Sequence, residues 1–257
     1  MKTKEELLEL AQNLARIQAE RIRTNNFKPM VAFHTEGDLP RLLFYPDLGN
    51  RTNEEYGKIE WSFKLLGGCL DDLESVVFAS DSYYATAENK TNGKPWGPGE
   101  MQYAYEHKTV DAHLVKEALT YQVMSDEGAA MISVTYERTD TGITFLWDEA
   151  NIFIEGDGEG HLGGFFADVM RDALAAPKVM REMKNQMGID HTDLDLDLEA
   201  ARIHTMAVGV KMVIKEAQFP CMVLCRNERE AGIVKDSMDG GPFSDGIQYF
   251  DQDQLLE

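Results

Sequence analysis

"VKEALTYQVMSDEGAAMISVTYERTDTGITFLW", residues 115–147, holds three apolar runs separated by two turn signals. The runs are Val115 to Met124, Met131 to Glu137 and Ile143 to Trp147. Between them lie Asp126-Glu127-Gly128 and Thr139-Asp140-Thr141-Gly142. A short polar turn closed by glycine, between runs rich in β-branched and aromatic residues, is a hairpin signal. The alternation in "MISVTYER" and "GITFLWDE" suits strands with one wet face. Consecutive hairpin strands dictate an antiparallel sheet, and the rest of the chain must complete it and cover it.

Upstream, "VVFASDSYYATAENKTNGKPWGPGEM", residues 76–101, opens as a buried strand and becomes a polar, aromatic loop. The strand is expected to run from Val76 to Ser80. Ser80-Asp81-Ser82 can end a ladder by side-chain hydrogen bonding to the backbone. Tyr83, Tyr84 and Trp96 each offer a large apolar face with a polar tip. Together with Asp81 and Glu100 they form the candidate binding set, suited to a small polar ligand or a protein partner. The competing reading is that the loop only caps a sheet edge.

Further upstream, "MVAFH" (30–34) and "LLFY" (42–45) flank "TEGDLPR" and read as a hairpin, with His34 as a strand-end residue. Thr52-Asn53-Glu54-Glu55 is a capping box. It opens a helix to Leu66 with Tyr56, Ile59, Phe63 and Leu66 as its buried stripe, and Gly67-Gly68 supplies a left-handed stop. The expected class is α+β, a mainly antiparallel sheet of about six strands with covering helices and a helical C-terminal extension.

The expected division follows composition. Residues 1–26 form an N-terminal helix, with Thr3 and Glu6 as its capping box and Leu7, Leu10, Leu14 and Ile17 as a narrow stripe that docks on the body. Residues 27–153 form the sheet domain, and 154–235 a helical extension with a candidate final strand, "CMVLC". In that extension Phe165, Val169 and Ala173, then Val179, Met183 and Met187, keep helical spacing interrupted at Pro177. Asp197 caps a helix to Ala217 with Ile203, Met206, Val210 and Val213 inside. Residues 236–257 turn to Gly, Asp, Gln and Ser and are expected to be a flexible acidic tail.

A net charge of −20 over 257 residues argues against a direct grip on nucleic acid or an anionic membrane, since both need clustered cations. It favours basic partners. No stretch approaches the roughly 18–20 apolar residues of a membrane span. The N-terminus is too charged for a signal peptide, so the expected location is the cytoplasm. The cysteines are Cys69, Cys221 and Cys225, with no second pair or neighbouring histidine to complete a zinc site.

Complete catalytic motifs are missing. "EGDGEGHLGG" lacks the lysine and Ser/Thr of a phosphate loop, and neither it nor "DHTDLDLDLE" has calcium-loop spacing. There is no G-x-S-x-G elbow and no H-E-x-x-H pair. Hydrolytic candidates reduce to Asp81, Ser80 or Ser82, and His107 or His113, whose convergence the sequence does not show. No catalytic residue is assigned, and no metal or cofactor is expected. The leading expectation is a non-enzymatic acidic protein acting through contacts with itself or another protein. Its rivals are a small-molecule hydrolase or binder at the 81–113 loop and a nucleic-acid mimic bound to a basic protein.

"VVFASDSYY", the loop to "WGPGEM" and "VKEALTYQVMSDEGAAMISVTYER" resemble uncharacterised proteins of bacteriophages and their bacterial hosts. The resemblance covers roughly residues 75–148. It implies no activity, and implies a phage-encoded accessory protein working in the host cytoplasm.

Overall fold

The computed structural model describes residues 6, 8–13, 15, 28–35, 39–48, 52–85, 107, 115–126, 128–139, 142–155, 162, 164–186, 197–238 and 249–251. In chain order the strands are β1 (Met30–His34), β2 (Leu42–Phe44), β3 (Ser75–Ala85), β4 (Val115–Ser125) and β5 (Gly128–Thr139), then β6 (Gly142–Phe145), β7 (Asn151–Ile154), β8 (Cys221–Cys225) and β9 (Tyr249–Asp251). The helices are α1 (Asn53–Gly68), α2 (Phe165–Gln186), α3 (Leu198–Met212) and α4 (Glu228–Met238), with a π turn over Val213–Ala217 extending α3.

The class is α+β, as the hairpin turns require. β4 ends at Ser125 and pairs with β5, which starts at Gly128, and Gly128 and Gly142 sit at φ values of 147° and 153°, where a side chain would be strained. Among the described residues the sheet has nine strands in the order β6-β5-β4-β3-β1-β2-β8-β9, with β7 also on β5. All pairs are antiparallel except β8 with β9. The count exceeds the expected six because β7 folds back on β5, the candidate final strand β8 pairs with β2 from the far end of the chain, and β9 adds to β8. Of the expected tail, Asp236–Met238 lie in α4 and residues 249–251 in the sheet, and residues 239–248 and 252–257 lie outside the described residues.

β3 also outruns its expected end. Ser80, Asp81, Ser82, Tyr83, Tyr84 and Ala85 pair with Thr120, Leu119, Ala118, Glu117, Lys116 and Val115. The long partner strand β4 satisfies the backbone groups that the Ser-Asp-Ser side chains were expected to take. The ladder therefore continues.

The pleat sorts the sheet into two apolar faces. Val31, Phe33, Leu42, Phe44, Val76, Phe78 and Val223 face α1–α4, while Met30, Ala32, Leu43, Val77, Leu119, Tyr121 and Ile132 belong to a second core. Leu10, Ala11 and Ala15 of the N-terminal helical segment are buried in that second core, so the segment docks on the body. Every residue of β1 and β2 is buried. The centre of the sheet is therefore covered on both faces.

The capping box at Thr52 forms as read. Its hydroxyl accepts from Glu55 N (3.3 Å), and the Glu55 carboxylate accepts from Thr52 N (3.2 Å). The far end of α1 differs. Gly67 and Gly68 stay helical, and Cys69 caps the helix at φ −86° with no left-handed residue.

The glycines serve packing instead. α2 runs unbroken through Pro177, which has no N–H to give the carbonyl of Ala173 four residues earlier. A Cβ on Gly67 would stand 2.3 Å from that same Ala173 oxygen. The carbonyl orphaned by the proline thus lies against a glycine Cα, and the two helices touch backbone to backbone.

Candidate functional site

α1 and α2 run in the same direction. Tyr56 meets Phe165 with ring centroids 4.7 Å apart, and Lys64 meets Asp172 at 3.1 Å. Further along, a Cβ on Gly68 would lie 3.3 Å from Met180. Hydrogen bonds to Glu60 and Asp172 raise the Lys64 pKa, but the group is exposed and the gain in stability is small. α2 continues past the end of α1 at Cys69, where Lys178 bonds Asp126 (3.0 Å) and Arg181 bonds the Asp71 carbonyl (3.3 Å).

This geometry leaves an apolar groove of about 390 Å³ along the two helices. Leu65, Gly68, Cys69, Ala175, Ala176, Val179 and Met180 line it, with Lys64 and Asp172 at its rim. Val179, Met180 and Met183 remain 51%, 43% and 46% exposed. Val179 and Met183 keep the helical spacing read from the sequence. They are surface residues because α2 has by then passed the helix it packs on.

The other side of the Cys69 turn opens on a charged cavity of about 280 Å³. Leu70, Ile203 and Met206 contribute apolar surface. Arg41, Arg202 and Arg226 line it together with Asp71, Asp72, Glu199 and Glu230, four carboxylates against three guanidinium groups.

The innermost members are Arg41 and Glu230, with side chains 7% and 4% exposed. Arg41 Nη1 and Nη2 donate to the two Glu230 carboxylate oxygens at 2.7 Å each, and Nη1 also donates to Leu224 O at 2.7 Å. Glu230 Oε2 accepts from Arg226 N (2.5 Å) as well. The backbone of Arg41 bonds Phe33 O and receives Leu224 N, so one residue ties β1, β8 and α4 together. Buried charge is tolerated here because the fork geometry and the backbone groups satisfy the pair.

Arg202 pairs with Asp71 (3.3 Å) and Arg226 with Asp72 (3.6 Å) at the more exposed rim. Arg229 bonds Asp197 and Glu199, tying the start of α3 to α4. Asp197 caps α3 as predicted, accepting from Ala200 N at 3.1 Å.

The candidate residues read from the sequence lie elsewhere. Asp81 is exposed on β3 and accepts a hydrogen bond from the Tyr136 hydroxyl (3.2 Å). Tyr83 and Tyr84 occupy β3 opposite Glu117 and Lys116. Trp96, Glu100 and His113 lie outside the described residues, and His107 is an exposed turn residue. Among the described residues no group of three or more His, Cys, Asp or Glu side chains could hold a metal ion. Cys221 and Cys225 are buried free thiols, and burial pushes the Cys221 thiol pKa up. No helix among the described residues is long and apolar enough to cross a membrane.

Sequence reasoning missed Arg41 and Glu230. A signal existed for the second. Asn227-Glu-Arg-Glu230 has the spacing of a helix start, and Asn227 Oδ1 accepts from Glu230 N at 3.0 Å. That spacing reveals the cap and is silent about the arginine 189 residues away.

No family model, no curated protein and no solved structure matches this chain.

Proposed function

We propose that this is an acidic intracellular protein that acts through protein contacts without turnover, and that the α1–α2 groove is its contact surface. The exposure of Val179, Met180 and Met183 beside that groove carries the reading. Clustered apolar side chains left in water are costly, and on soluble proteins they mark interaction sites. The groove suits an apolar helical segment laid along two parallel helices.

Charge selects the kind of partner. Two copies at −20 each repel, whereas a segment with cations flanking its apolar anchors is drawn in. The partner is therefore a basic protein. The resemblance of residues 75–148 to phage and host proteins supports a phage accessory role in which that partner belongs to the host.

The test is co-purification from the source cells, comparing the wild-type chain with the double variant Val179→Glu, Met183→Glu. A basic partner should be retained by the wild type, released by raised salt and lost in the variant, with an unchanged thermal melt. Retention of the same partner by the variant would remove the groove from the reading. Dimerisation that strengthens with salt would replace the basic partner by a second copy.

A further inference from the structure

We infer that the charged cavity beyond the Cys69 turn is a binding site for a free zwitterionic small molecule, an α-amino acid with an apolar side chain. The inference stands apart from the groove and its partner.

The first observation is the state of Arg41. A guanidinium has five N–H donors, and Arg41 places three of them on Leu224 O and the two Glu230 oxygens. Its Nε–H and one Nη2–H have no acceptor among the described residues, on a side chain that is 7% exposed and lines the cavity. Arg226 lines the same cavity; its backbone N–H donates to Glu230 Oε2, while its Nη2 donates to Thr35 Oγ1 (3.0 Å) and stands 3.6 Å from Asp72. A carboxylate is the group that matches the two N–H donors left on one edge of the Arg41 guanidinium.

The second observation is the balance of charge. Arg229 already bonds Glu199, so the four carboxylates of the lining meet four guanidinium groups, and a simple anion such as phosphate would add negative charge to a cavity that is already balanced. A ligand with both signs avoids that cost. Its carboxylate takes Arg41 and Arg226, and its ammonium takes the rim acids Asp71, Asp72 and Glu199.

Those acids are available for exchange. The rim pairs Arg202–Asp71 and Arg226–Asp72 are substantially exposed and worth little by themselves. A ligand that supplies its own two charges can replace them without leaving either partner bare.

The third observation is apolar surface in the same space. Leu70, Ile203 and Met206 offer a hydrophobic side chain a place to leave water. A volume of about 280 Å³ is enough to hold a single amino acid.

The test is calorimetric titration of the full chain with leucine, leucine amide, N-acetylleucine and inorganic phosphate. Leucine should bind, while the amide, which lacks the carboxylate charge, and the N-acetyl form, which lacks the ammonium, should each lose about tenfold or more in affinity. Arg41 and Glu230 are integral to the fold, so the variants are Arg226→Gln and Asp72→Asn, each checked for an unchanged melt. Both should weaken leucine by about tenfold. No heat with leucine, equal binding of the amide or N-acetyl form, binding of phosphate alone, or unaltered affinity in both variants would overturn the assignment.

Discussion

The groove and the cavity share the Cys69 turn and are shaped by opposite physics. On the groove side two helices meet through glycine, alanine and an orphaned carbonyl, with their one ion pair, Lys64–Asp172, at the exposed rim. On the cavity side the chain buries a complete ion pair and borrows backbone groups from β8 and from Arg226, just after it, to satisfy it. The first depends on the absence of one methyl group at Gly67. The second depends on two charges remaining together, Arg41 with Glu230. Close packing punishes added volume, whereas a buried ion pair punishes removal of one partner.

That contrast can be broken from the cavity side with the largest effect. Glu230→Ala strands the Arg41 guanidinium and should cost about 3–5 kcal/mol in urea unfolding. Replacing both partners, with Arg41→Met and Glu230→Leu, should recover most of that loss, because no charge is then left alone. A double variant as unstable as the single would mean that the hydrogen bonds the two side chains make to Leu224 O and Arg226 N, and not the pairing of charge, hold β8 to α4.

On the groove side, Gly67→Ala forces a Cβ into the Ala173 carbonyl and should cost about 1–3 kcal/mol by the same measurement. The smallest effect has the opposite sign. A Cβ on Gly57, in the same helix, would meet nothing within 4 Å. Gly57→Ala should therefore stabilise by about 0.5–1 kcal/mol through helix propensity alone. Equal responses at the two glycines would refute backbone contact as the reason for Gly67.

Much of the fold was legible because its signals are local. Hairpins need glycine at strained turn positions, and Gly128 and Gly142 stand where the pattern places them. The caps at Thr52 and Asp197 use side chains within three residues of the groups they satisfy. The stripe Ile203, Met206, Val210 and Val213 is buried as its spacing demands.

The failures share one cause, a partner distant in sequence. β3 continues past Ser80 because β4 is long enough to pair with it. α2 runs through Pro177 with the Ala173 carbonyl packed on Gly67, more than a hundred residues earlier in the chain. Val179 and Met183 have helical spacing on a stretch of helix with nothing to cover it. Sequence alone therefore determined the class, the turns, the caps and the acidic character, all governed by local geometry and composition. Tertiary structure decided which strands are neighbours, which apolar residues stay in water and that Arg41 meets Glu230. Those outcomes depend on what each residue finds across space, and neither periodicity nor spacing along one segment encodes it.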